Sequence, residues 1–321
     1  MLTKLKNSKF FKTINKVSEI NLIVILIVLV VVLQLFNDKF LSLVNITNLL
    51  RQTAIIGVLA IGMTFVILSG GIDLSVGSVL AFSSVVASKL MVAGLPIWLS
   101  ILLALLSGSL IGAIMGVLIH YGKVPAFIAT LGGMTIVRAL VMLVTNAEKV
   151  LGLPDAIGDF AIQRIFQIPA MVYVWFATII IGFIISRYTT FGRNMFAIGS
   201  NQEAARLSGI KIGLSITGIY AFSALMSSVA GILMTARLGS GVPTAGQGYE
   251  LDAIAAVVVG GASLTGAIGS IFGTVLGTVI IATIKNGGTL IGINFFILDI
   301  LIGSLIVVAV LIDQLRKHKS K

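Results

Sequence analysis

The sequence predicts an all-α, polytopic integral membrane protein with about ten transmembrane helices. Three observations lead there. Hydrophobic residues make up 58% of the chain and charged ones 10%, against roughly a quarter charged in a soluble domain, and the mean hydropathy is +1.13. Apolar runs of about 20 residues, enough to cross some 30 Å of hydrocarbon, follow one another along nearly the whole chain. Lysine and arginine collect in the tails and between those runs. A chain so poor in charge cannot coat itself with water-facing groups. The runs use up residues 1–321 as a single membrane domain, with no stretch left for a separate soluble one.

Taken in order, the expected spans are 20–36, 50–69, 73–92, 97–119, 125–145, 169–186, 213–236, 251–270, 271–290 and 294–312. The first follows five lysines, as a signal sequence would, but Leu35-Phe36-Asn37-Asp38 offers no small-residue cleavage site. It reads as an uncleaved span. The second and third are separated by argument: Ala54 to Leu90 is one apolar stretch of about 55 Å as continuous helix, too long for a single straight crossing, so the chain breaks. Gly70-Gly71 suits a helix C-terminus, because glycine accepts left-handed dihedrals. Asp73 suits the next N-cap, accepting a backbone N–H from Ser75 or Val76. The same break could also line a watery path, since irregular backbone at membrane depth survives only in such places. "GGASLTGAIGS", beginning at Gly260-Gly261, repeats the order of "GGIDLSVGS" with two extra residues. It predicts a weak internal repeat with a second break in the matching place.

An even number of spans puts both termini on one side. The positive-inside rule places them in the cytoplasm: Lys4, Lys6, Lys9, Lys12 and Lys16 precede the first run in tail 1–19, and Arg316, Lys317, Lys319 and Lys321 follow the last in tail 313–321. Lys123 and segment 187–212, with Arg187, Arg193, Arg206 and Lys211, fall on the same side, while Lys285 is counted outside. The net charge of +11 is thus a matter of topology and membrane lipid, not of nucleic acid.

Little of the chain can do covalent chemistry. There is no cysteine, so thiolate nucleophiles and cysteine metal sites are excluded. His120 and His318 stand far apart, no nucleotide-binding loop is present, and no cofactor or catalytic set is predicted. Four charges near or within spans remain. Arg138 in "TIVRALVML" and Asp299 in "FILDILIGSL" are costly in lipid and are expected to pair, or Asp299 to reach the surface. Glu250 and Asp252 open a helix, where they would complement its dipole.

The most informative polar stretch is "GRNMFAIGSNQEAARLSGIKI". Ser200 and Glu203 have capping-box spacing, the hydroxyl bonding forward and the carboxylate back. Ala204, Ala205, Arg206 and Leu207 favour helix, and Gly209 supplies a stop. A helix of about two turns, too short to be stable alone yet defined at both ends, suggests something to dock.

"GMTFVILSGGIDLSVGS", "FIATLGGMTIVRAL", "GSNQEAARLSGI" and "PTAGQGYELDAIAAVVVGGASLTG" resemble, in order, the permease subunits of ribose-type monosaccharide ABC importers, and the likeness runs from about residue 40 to 313. Residues 146–168 carry no motif of that family. The resemblance implies the ABC importer permease fold and a homodimer in the inner membrane of a bacterium. It also implies a cytoplasmic ABC ATPase and an extracytoplasmic sugar-binding protein as partners. The family's Glu-Ala-Ala…Gly coupling motif maps onto Glu203, Ala204, Ala205 and Gly209. The rival reading is a proton-coupled secondary transporter using Asp73, Asp252 or Asp299 as a relay; uptake by the chain alone under a pH gradient would favour it.

Overall fold

In lipid every backbone N–H and C=O must be satisfied within its own segment, so the apolar runs fold as helices. The computed structural model describes the backbone of residues 6–318 and the side chains of residues 19–311. The basic tails fall almost wholly outside the described side chains. Along the chain come α1 (Lys6–Phe36), α2 (Leu43–Leu68), α3 (Val76–Val92), α4 (Ile97–His120) and α5 (Ala126–Thr145). A small α6 (Asp155–Ile162) and a two-residue hairpin, β1 (Arg164–Ile165) with β2 (Ile168–Pro169), lead into α7 (Ala170–Tyr188). The short α8 (Thr190–Ser200) and α9 (Gln202–Leu207) precede α10 (Ile212–Leu238), α11 (Tyr249–Val259), α12 (Ile271–Leu290) and α13 (Phe295–His318).

Among the described residues, 7 helices are long and apolar enough to cross a membrane, namely α1 from Glu19, α2, α4, α5, α7, α10 and α12. The apolar stretches Val76–Val92 and Phe295–Leu311 are shorter. Seven of the ten expected spans thus coincide with helices of membrane length. The expected eighth, 251–270, is helical only to Val259; Gly260 and Gly261 (φ +91°) turn the chain, and 260–270 is irregular. Glycine there costs nothing sterically where a side chain would be strained.

α10 is the hub. It packs on α2 along one side and on α3 and α4 along the other, so α2 and α3, joined by a tight turn, grip α10 between them. Directions follow from the bonded pairs. Thr130 binds the Ile72 carbonyl near one end of α3, and Lys89 binds that of Val144 near the other, so α3 and α5 run the same way. Ser83–Ser228 (2.8 Å) and Ser84–Thr235 (2.7 Å) align α3 with α10. α2 runs opposite to α12, joined by Thr64–Thr274 (2.8 Å) and by the reciprocal amides of Asn45 and Asn286. α11 lies antiparallel against α12.

Small residues allow this density. A Cβ on Gly112 of α4 would overlap the Tyr220 carbonyl, and one on Gly108 the Ser228 hydroxyl. Lipid is as apolar as leucine, so helices in a membrane gain little from apolar burial itself. Close backbone approach and hydroxyl pairs, each about 0.6 kcal/mol on average, hold such interfaces together.

Candidate functional site

Three features share one end of the bundle: the turn 69–75, the turn 260–270, and α8 with α9. α2 ends at Ser69, and Gly70 (φ +83°) reverses the chain. Gly71 sits against the Tyr220 hydroxyl, where a Cβ would not fit. Asp73 is buried, at 1% exposure. Its Oδ1 accepts the Ser75 backbone N–H (2.9 Å) and the Ser75 hydroxyl (2.6 Å), and its Oδ2 accepts the Ser223 hydroxyl from α10 (2.9 Å). The expected bond from the Ser75 N–H forms, but Asp73 is not the N-cap. Helix α3 starts at Val76, Ser75 holds the cap position without a side-chain cap bond, and Asp73 closes a local turn two residues earlier while strapping it to α10. Three donors satisfy a carboxylate that has no cation bonded to it among the described residues.

The second turn touches the first. The Ala267 N–H donates to the Leu68 carbonyl at the end of α2 (2.9 Å). Gly199, one residue before α8 ends, lies so close to both that a Cβ would overlap the Leu68 oxygen and crowd the Ala267 nitrogen. Gly260 faces the Gly273 carbonyl across the α11–α12 hairpin just as tightly.

α9 is short and closed at both ends, but not by the expected residues. Ser200 remains in α8. Asn201, in extended conformation (φ −162°), is the cap, its Oδ1 accepting the Ala204 N–H at 2.9 Å. Asn caps about as well as Ser, and the shift by one residue leaves Glu203 a position short of reaching back. Its carboxylate instead takes a two-pronged bond from Arg206, one turn on (2.6 and 3.0 Å). That guanidinium holds Glu203 below the usual carboxylate range. Gly209 (φ +84°) ends the helix, with the Ile210 N–H on the Ala205 carbonyl (3.2 Å). Ala205 is buried with Ile198 and Ile212, whereas Glu203, Ala204 and Leu207 point outward. Between α9 and the end of α4 lies a groove of about 340 Å³ lined by His120, Gln202, Glu203, Arg206, Ile210 and Ile212.

The expected pair of Arg138 with Asp299 does not form. α5 packs chiefly on α3 and α4, and α13 chiefly on α11 and α12, so their helices are not neighbours. Arg138 donates to three carbonyls: Pro243 (2.7 Å), Ala245 (2.8 Å) and Gly77 (3.1 Å). A planar fork with five donors suits that task. Asp299 lies 3.8 Å from Lys285, whose Nζ is 2.6 Å from Asp252. Lys285 is thus no outer-loop charge but a buried residue of α12, pinning the first turn of α11 to its neighbour. The sequence held the signal, a basic residue and two acids within apolar runs, since Lys285 lies inside the expected span 271–290 although the charge count places it outside.

A further departure from helix lies between α10 and α11. Residues 239–248 are irregular; Gly241 pairs with Val150, and Pro243 and Ala245 are held by Arg138. Pro243, Ala245 and Gly246 face inward, while Thr244 and Gln247 are exposed.

Comparison with known proteins places the sequence in a family. Residues 45–311 match the family described as the branched-chain amino acid transport system / permease component. The chain is 44% identical over 287 residues to the ribose import permease protein of Bacillus subtilis, covering 89% of each. It is 42% identical to that of Haemophilus influenzae, covering 89% of this chain and 90% of the relative. With the xylose transport system permease protein of Haemophilus influenzae the identity is 36%, over 88% of this chain and 92% of the relative. No solved structure matches. A bundle of membrane-length helices closed at one end by short capped ones, matched over most of its length by such relatives, belongs to this family of transport-system permeases.

Proposed function

We propose that the chain is the membrane-spanning subunit of an ATP-driven ABC importer for ribose or a closely related monosaccharide, working as a homodimer in the inner membrane. One observation carries the reading. α9 is fixed at both ends, presents Glu203, Ala204 and Leu207 outward, and continues through α8 into contact with two turns that end membrane helices. A cytoplasmic ABC ATPase docks on that surface, its side chains entering the groove beside His120. ATP is handled there, on another chain. An extracytoplasmic sugar-binding protein delivers substrate at the opposite end, and both termini lie in the cytoplasm. The names of the relatives supply the sugar class.

The buried acids serve structure in this reading. Asp73 is committed to three donors and Asp252 to Lys285, so neither is free to relay protons. The test is uptake into vesicles holding the chain with its ATPase and sugar-loaded binding protein. Accumulation should require ATP. Accumulation by the chain alone under an imposed pH gradient would overturn the proposal in favour of a proton-coupled carrier.

A further inference from the structure

Arg138 lies about 10 Å along α5 from its Thr145 end, so the carbonyls it binds, Pro243 and Ala245, sit well inside a hydrocarbon layer of about 30 Å. The neighbouring contacts give the same depth. Gly241 lies against Ser88 near the end of α3, and Gly246 against Gly77 at its start. Residues 239–248 therefore descend beside α3 by roughly 16 Å as irregular backbone. Such backbone persists within a membrane only where protein covers it or water reaches it. Pro243, Ala245 and Gly246 are buried, with two carbonyls taken by Arg138, while the alternate residues Thr244 and Gln247 turn outward.

Neither of those side chains has a hydrogen-bond partner among the described residues. An amide facing hydrocarbon unpaired costs several kcal/mol, so the surface they form faces water. Hydroxyl and amide both donate and accept and carry no charge, which matches a neutral polyol and not an ion. We propose that Thr244 and Gln247 form a hydroxyl-binding station for the monosaccharide on its way through the membrane, held at depth by the grip of Arg138 on Pro243 and Ala245. The inference rests on the importer reading above and adds to it the place on this chain that sugar touches. Two neutral groups make a weak site, as passage requires, since tight binding would slow release.

The chain has no cysteine, so single cysteines report on their surroundings without background. In the assembled transporter, Thr244→Cys and Gln247→Cys should react with a charged, membrane-impermeant thiol reagent. Ile180→Cys, on an exposed face of α7, should not. Excess of whichever of ribose or xylose the wild type imports should slow the reaction. Labelling of 244 and 247 as slow as that of 180 places them in lipid or a dry contact and overturns the proposal. Thr244→Val and Gln247→Met, close in shape, should each lower ATP-driven uptake about 2- to 10-fold, the loss of one hydrogen bond. ATP hydrolysis stimulated by loaded binding protein should persist. Unchanged uptake in both would overturn the station while leaving the importer reading intact. Failure of the wild type to import with ATP would instead overturn that reading.

Discussion

At the scale of single residues, the charges within the bundle are each answered by a different chemistry, and substitutions should tell them apart. Asp73 works as an acceptor of three hydrogen bonds. In Asp73→Asn the remaining oxygen can still take both Ser75 donors, and the Ser223 hydroxyl can rotate to accept from the new amide. Asp73→Leu leaves the Ser75 N–H and two hydroxyls unpaired in a buried turn, at about 1–3 kcal/mol for each unsatisfied group. The Asn variant should therefore reach near-wild-type levels in the membrane and transport, while the Leu variant is lost to degradation. Abolished uptake by a normally expressed Asn variant would show that the charge itself is needed. For Lys285 and Asp252 the expectation is reversed sensitivity. Lys285→Met alone abandons Asp252 in a buried place, at roughly 3–5 kcal/mol, whereas removing both partners is often tolerated. Lys285→Met with Asp252→Leu should express better than Lys285→Met alone, a comparison that membrane immunoblots can make. Equal levels in both would mean that the pair contributes nothing to folding.

At the scale of elements, α9 shows how a cap is chosen. Ser200 and Glu203 have the right spacing for a box, but spacing does not decide which residue leaves the preceding helix. α8 runs on through Ser200, and Asn201 is the first residue free to become extended. Asn201→Ala should then destabilise α9 by about 0.5–2 kcal/mol and weaken ATPase retention during detergent purification, while Ser200→Ala changes little. The opposite order would restore the box. Other elements were legible in the sequence for similar reasons and to similar limits. Apolar run length located α4, α5, α7, α10 and α12 to within a few residues. It misplaced 251–270, since composition cannot tell eleven residues of helix plus a glycine-rich turn from a full span. The segment 239–248 was legible as a connection between spans, but its course beside α3 was not, because Arg138 satisfies its carbonyls from 105 residues away in the chain. Pairing partners of buried charges lie across the fold, and no local pattern names them. The glycine pairs at 70–71 and 260–261 were legible because φ above zero has a residue signature.

At the scale of the whole molecule, the two glycine turns and the end of α8 meet in one joint, through which, in the importer reading proposed above, motion of α9 would reach the membrane helices. Leu68 closes α2, Ala267 lies in the turn between α11 and α12, and their hydrogen bond is covered by Gly199. On that reading a push on α9 would pass through α8 to both turns at once, because backbone meets backbone there with no flexible side chain between them to absorb it. Two glycines separate the physics of this joint. Gly209 has open space around it but φ +84°, so Gly209→Ala suffers only backbone strain, about 1–2 kcal/mol. Gly199 carries no positive φ, yet Gly199→Ala drives a methyl into the Leu68 carbonyl and the Ala267 nitrogen. The second variant should therefore be the more damaging to coupling, though alanine is the better helix former. In reconstituted complexes, Gly199→Ala should keep its ATPase bound and hydrolysing while sugar uptake per ATP falls at least tenfold. Gly209→Ala should retain most of its transport. Full sugar uptake by Gly199→Ala would mean that the turns can part from α8 without consequence, and the path from α9 into the membrane would have to run through Ala205 and Ile212 alone.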